Sequence, residues 1–180
     1  NNLKNQNEYD AIIMGYIPFY SNIASRLDHA IKIESDIIYM LQQMGLKKIG
    51  VKIKAGRWKF IQDHHIYNTI LENNYNNSLN VNIDFIEGQL YQVIDKTNFI
   101  IGGISTAVFE AFYREIPFYI YEPFENGKTD ELIKSSKIYS ISTISRDLSE
   151  LEQKIIDKKQ SVNVDRDYII KGKSFDKIPI

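Results

Sequence analysis

The chain has 180 residues, which predicts one domain and leaves room for a real core. Its 22 Lys and Arg against 23 Asp and Glu give a net charge of −1, so neither nucleic acid nor a membrane surface is expected as the main ligand, and any basic ligand site must be local. With no cysteine, disulfides, thiolate nucleophiles and Cys-ligated metals are excluded.

The start, NNLKNQNEYD, is polar and lacks a signal-peptide core. It opens on Asn rather than Met, as a fragment or a processed product would. Further on, no apolar run approaches the roughly 20 residues of a membrane span. The first buried strand is expected over 9–16 (YDAIIMGY), ending at Gly15. Over 25–45, Leu27, Ala30, Ile31, Ile37, Ile38, Leu41 and Met44 recur at helical spacing, and Gly45 is a natural stop. A strand follows over 47–54, then a helix over 60–75 that ends in Asn-rich sequence. Residues 81–88 read as a strand, 89–97 as a short helix, 98–103 as a strand, 106–114 as a helix and 117–122 as a strand. The pattern closes with a helix over 128–136, a short strand over 138–143 and a helix over 145–159.

This alternation predicts a Rossmann-like three-layer α/β/α domain of about six mostly parallel strands over 1–160, with 161–180 as a C-terminal tail. In such sheets ligands bind beyond the carboxyl ends of the strands. The loops at that edge are then 15–19, 54–59, 87–91, 102–107 and 122–128.

Two features of that edge stand out. In GGISTA (102–107) two glycines and two hydroxyls sit where a buried strand hands over to a helix. Gly102 and Gly103 would permit unusual backbone angles and close ligand approach. Ser105 or Thr106 would cap the helix, and the amides at its start would attract a phosphate. The same residues would also make an ordinary tight turn before a capped helix, and the spacing alone does not choose. The second feature is the basic loop holding Lys54, Arg57, Trp58 and Lys59, which places cations beside that turn. Glu110, one turn into the helix, could take the two hydroxyls of a ribose or simply face water near a helix start. His64 and His65 are adjacent and so point about 100° apart on a helix, which is not the spacing of a zinc pair. No metal is expected.

The stretch VIDKTNFIIGGISTAVFEAFYREIPFYIYEP (93–123) resembles the nucleotide-binding, C-terminal half of GT-B glycosyltransferases. It is most similar to the bacterial capsule, lipopolysaccharide and teichoic-acid enzymes, including the CDP-glycerol glycerophosphotransferase-like group. VKIKAGRWKF is similar to that group's strand ending in Lys-x-His-Pro, with Ala55-Gly56 in place of His-Pro. Gly102 stands where some relatives carry an acid eight positions before the ribose Glu, and Glu115-Ile116 stands where a Gly often precedes the proline.

The resemblance implies a transferase that moves a sugar or glycerophosphate from a nucleotide-activated donor to a cell-surface glycan or lipid-linked acceptor. Gly103, Ser105 and Thr106 would hold the donor phosphates and Glu110 the ribose. Gly88, Gln89 and Leu90 would lie near the base, and Gly15 would let the first loop approach the phosphates. Lys54 and Arg57 would neutralise the leaving group as the catalytic cations. No cofactor beyond the donor is implied. The acceptor half would be a missing N-terminal domain, and the location cytoplasmic, with peripheral attachment to the inner face of the membrane as an option. Two other readings stay open: a UDP-sugar 2-epimerase-like enzyme, and a non-catalytic nucleotide-binding α/β domain.

Overall fold

The computed structural model describes residues 7–16, 23–53, 82–123 and 144–159. Six parallel strands form a single sheet: β1 (Ala11–Met14), β2 (Lys48–Lys52), β3 (Asn82–Ile86), β4 (Ile100–Gly102), β5 (Phe118–Tyr121) and β6 (Ile144–Ser145). Their order across the sheet is β3-β2-β1-β4-β5-β6. Three α-helices are described, α1 (Ile23–Gln43), α2 (Ala107–Tyr113) and α3 (Leu148–Ile156). The fold is the Rossmann-like α/β arrangement expected from the alternation.

Near-continuous apolar strands are what a sheet covered on both faces requires. Ala11, Ile12, Ile13, Ile100 and Ile101 are all fully buried, and their side chains alternate between two cores. Ala11, Ile13, Ile49, Val51, Ile101, Tyr119 and Tyr121 pack against α1 and α3. Ile12, Ile100, Phe118 and Ile120 pack against α2 and the segment around Leu90 and Ile94. The chain steps one way from β1 to β2 and the other way from β4 to β5. With a single crossover hand, reversing the direction of march puts the connecting helix on the opposite face. That is why α1 and α2 cover different sides.

All three helices stop the same way. At the end of α1, Gly45 has φ 84°, its amide donates to the Gln42 carbonyl, and the Leu46 amide reaches back to Leu41. This paired closure satisfies the last carbonyls with one left-handed residue. Glu115 (φ 57°) plays that part after α2, and Lys158 (φ 54°) after α3. The expected stop at Gly45 therefore holds, and Glu115 stands where a glycine would be unstrained.

Two expectations are corrected. The segment 89–97 is not one α-helix but two 3₁₀ turns, Leu90–Gln92 and Ile94–Lys96, broken at Val93 (φ −128°). The last helix, α3, begins at Leu148 with Asp147 as its cap rather than at 145, because Ile144–Ser145 pair with β5 as a short strand. The Asp147 carboxylate accepts from the Glu150 amide at 2.8 Å. The helices expected over 60–75 and 128–136, the strand over 138–143 and the tail 161–180 lie outside the described residues. Among the described residues, no helix is long and apolar enough to cross a membrane, and no group of three or more His, Asp or Glu could hold a metal ion.

Candidate functional site

Strand order reverses between β1 and β4, which are neighbours in the sheet although β2 and β3 intervene in sequence. The connections leaving these two strands diverge to opposite faces, so a crevice opens between them at the carboxyl edge. Gly15 and Tyr16 leave β1 there, and Gly103 to Thr106 leave β4.

The two turns meet. A Cβ on Gly103 would lie 3.5 Å from Tyr16 Cε1 and 2.6 Å from Glu122 Oε1, so a larger residue would have to push the carboxylate aside. A Cβ on Gly102 would lie 2.8 Å from Met14 Cβ. Neither glycine has a positive φ, which corrects the expectation that unusual backbone angles explain them. Closeness of packing is the reason.

Tyr16 is tied at both ends. Its amide donates to Glu34 Oε1 at 2.8 Å, and its hydroxyl donates to the Tyr121 carbonyl at 2.9 Å. Glu34 is fully buried on α1. Burial, with the Glu122 and Glu34 carboxylates nearby, pushes the Tyr16 phenol well above its ordinary value. Tyr16 is therefore a fixed hydrogen-bond donor and not a base. Glu122, immediately after β5, accepts the Ile104 amide at 2.9 Å, while its own carbonyl accepts from the Arg146 guanidinium at 3.1 Å. The ends of β1, β4, β5 and β6 are thus laced together by side chains.

The β4–α2 turn does not use its hydroxyls for capping. Thr106 is at the cap position with helical angles and no side-chain cap bond. The Ser105 hydroxyl oxygen is buried and without a hydrogen-bond partner. Among the described residues, the amides of Ser105 and Thr106 have no acceptor either. The first amide of the turn, at Ile104, is already held by Glu122. Glu110 is half-buried on α2, and its carboxylate has no hydrogen-bond partner among the described residues. Burial raises its pKa, opposed by Arg114.

The remaining expected residues are spread along the same edge. Gly15 is buried, and its amide donates to the Lys52 carbonyl at 2.8 Å. Gly88 and Gln89 are exposed at the end of the edge strand β3, three places from β4. Strand spacing of about 4.8 Å puts that roughly 14 Å away. Gly88 has φ 81°, a conformation suited to glycine, and the Gln89 amide donates to the Gln92 side chain at 2.9 Å. Leu90 is buried in the core. Lys54 and Arg57 lie outside the described residues. Gly15, Gly103, Ser105 and Thr106 are therefore brought to the β1–β4 crevice, with Glu110 on the helix that leaves it. Gly88 and Gln89 would meet only the far end of an extended ligand.

Three residues of this region were not singled out from sequence: Tyr16, Glu34 and Glu122. Glu34 carried a signal, because it interrupts the apolar face formed by Ala30, Ile37 and Leu41. No protein-family model and no curated protein sequence matches the chain.

Proposed function

We propose that this chain is the donor-binding domain of a glycosyltransferase-type enzyme of the GT-B kind. It would take a sugar or glycerophosphate from a nucleotide-activated donor to a cell-surface glycan or lipid-linked acceptor, on the cytoplasmic side, with the acceptor bound by a separate domain. The observation that carries this reading is the Ser105 hydroxyl, buried and unpartnered where the strand order reverses. A helix-capping role would have satisfied one of the two hydroxyls, and neither is used so.

In this reading the Ser105 and Thr106 amides and hydroxyls hold donor phosphate oxygens, and Gly103, packed against Tyr16 and Glu122, lets the turn sit close to its neighbours. Glu110 accepts two hydrogen bonds from the ribose diol, which relieves a half-buried carboxylate that has no hydrogen-bond partner among the described residues. Cleavage of the donor leaves negative charge on the nucleotide phosphate. Fixed N–H donors stabilise that charge more in the transition state than in the ground state. Lys54 and Arg57, which follow β2 in sequence, supply cations to the same charge. The base that deprotonates the acceptor hydroxyl belongs to the acceptor domain.

Calorimetric titration with CMP, CDP, UMP, UDP and GDP tests the reading. Saturable binding with a preference for one base is expected. Glu110→Ala should weaken it about tenfold or more, the loss of a charge-assisted pair of hydrogen bonds. Binding of no nucleotide at millimolar concentration, or binding untouched by both Glu110→Ala and Ser105→Ala, would overturn it.

A further inference from the structure

We infer that Lys52, at the carboxyl end of β2, is an anchoring cation for a phosphate group of the ligand bound at this edge; the inference rests on the donor-site reading and names a residue outside both the GGISTA turn and the basic loop 54–59. Lys52 is only 8% exposed. Its ammonium donates to the Ile53 carbonyl at 2.9 Å. Among the described residues no carboxylate lies within ion-pair distance of it. Glu87 attracts it only from farther off, and burial lowers its pKa.

A buried ammonium is costly unless it is paired and its three protons are satisfied. One carbonyl answers one proton. The missing partner is an anion, and the side chain's remaining exposure is the route by which one arrives.

The position agrees with the site. Side chains alternate along β2: Ile49 and Val51 face the α1 side, whereas a Cβ on Gly50 would touch Ile86, Tyr9 and Ile12 of the other core. Lys52, two residues beyond Gly50, is directed to the α2 side. It is in register with Met14 on β1 and Ile86 on β3. Met14 in turn abuts Gly102, the last residue of β4. The lysine therefore stands on the face onto which the β4–α2 turn leads, two strands from it, or about 10 Å of lateral spacing. A diphosphate lying along the edge between them would be gripped at both ends.

The test uses the chain labelled with ¹³C-lysine, with the ε-methylene signal of Lys52 assigned through Lys52→Arg. Inorganic pyrophosphate, and separately CDP and UDP, should move that signal saturably. Lys52→Met, which keeps the aliphatic stem, should melt no lower than the parent chain. It should bind pyrophosphate about tenfold or more weakly, the loss expected for one charge-assisted hydrogen bond. A lysine kept only for its packing would leave binding unchanged in Lys52→Met, and that result overturns the inference. Nucleotides that bind saturably while the Lys52 signal stays still overturn it as well, and leave the donor reading intact. Pyrophosphate moving Lys52 while no nucleotide binds has the opposite meaning: the cation stands and the donor reading falls. A signal unmoved by any of the three probes at millimolar concentration removes the inference whether or not the Met variant folds.

Discussion

The Tyr16 amide is held by the Glu34 carboxyl group at 2.8 Å, joining the turn after β1 to the middle of α1. A fully buried acid in an apolar helix face is unfavourable unless it satisfies something. Here it satisfies a backbone donor that has left the sheet ladder at the edge of the crevice. Glu34→Ala should therefore cost about 1–3 kcal/mol, the penalty for stranding a buried amide, and Glu34→Gln, which keeps an acceptor, should cost less. Urea unfolding followed by circular dichroism gives both values, and equal losses for the two variants would mean that packing rather than the hydrogen bond is what Glu34 provides.

Alkaline stability should be set by tyrosine. Burial, with Asp36 and Asp147 nearby, pushes the Tyr121 phenol from 10.0 to about 12. Burial followed by the Asp84 contact raises Tyr9 further, and Tyr16 moves the same way. These folded phenols keep their protons where the unfolded chain gives them up. Stability is then fully present below pH 10 and is lost as pH rises through about 12. Absorbance at the tyrosinate band and circular dichroism, recorded together from neutral to alkaline pH, should show the buried phenols ionising only as the fold is lost. Ionisation of every tyrosine near its ordinary value in a folded chain would contradict this.

The strands and α1 were legible because their patterns are strong. Continuous apolar runs mark β1, β4 and β5, and α1 carries a long stripe closed by Gly45. The 3₁₀ turns were not, because buried Leu90 and Ile94 stand four apart, as on an α-helix, and only the extended φ of Val93 breaks the run. The strand Ile144–Ser145 was not legible because two residues are too few to show a period. At the site, the glycines and hydroxyls of 102–106 announced themselves as one motif. The bond from Tyr16 to Tyr121 spans 105 positions and exists only because β1 and β5 flank β4. Local sequence carries no sign of such a contact. Nor did it show that Glu122 reaches the β4 turn, since loop 122–128 was marked only as a whole.

Glu115 offers a gain in stability. Its φ of 57° closes α2 in the left-handed region, and the residue is exposed. That conformation costs a side chain with a Cβ about 1–2 kcal/mol. Glycine removes the cost but adds about 0.5–1 kcal/mol of freedom to the unfolded chain. Glu115→Gly should therefore stabilise by up to about 1.5 kcal/mol, seen as a higher melting temperature. Glu115→Ala should bring no such gain, because it keeps the Cβ in the same conformation.

Glu122 predicts how the crevice responds to charge. Its carboxylate holds the Ile104 amide at 2.9 Å, so a phosphate arriving as the proposed donor site requires would meet both an occupied donor and a like charge. At about 4 Å and an effective dielectric near 20, two such charges oppose each other by about 4 kcal/mol, and water at the edge reduces this. Glu122→Gln keeps an acceptor for the Ile104 amide while removing the charge, and should raise nucleotide diphosphate affinity by about tenfold. Gly103→Ala acts on the same contact by steric means, since its Cβ would sit 2.6 Å from the Glu122 oxygen. It should displace the carboxylate toward the ligand and weaken binding. Calorimetry at low and high salt separates the cases: the gain in Glu122→Gln should shrink as salt screens the charge. A fall in affinity on Glu122→Gln would instead make the carboxylate a ligand-holding group, facing a hydroxyl or a cation rather than a phosphate.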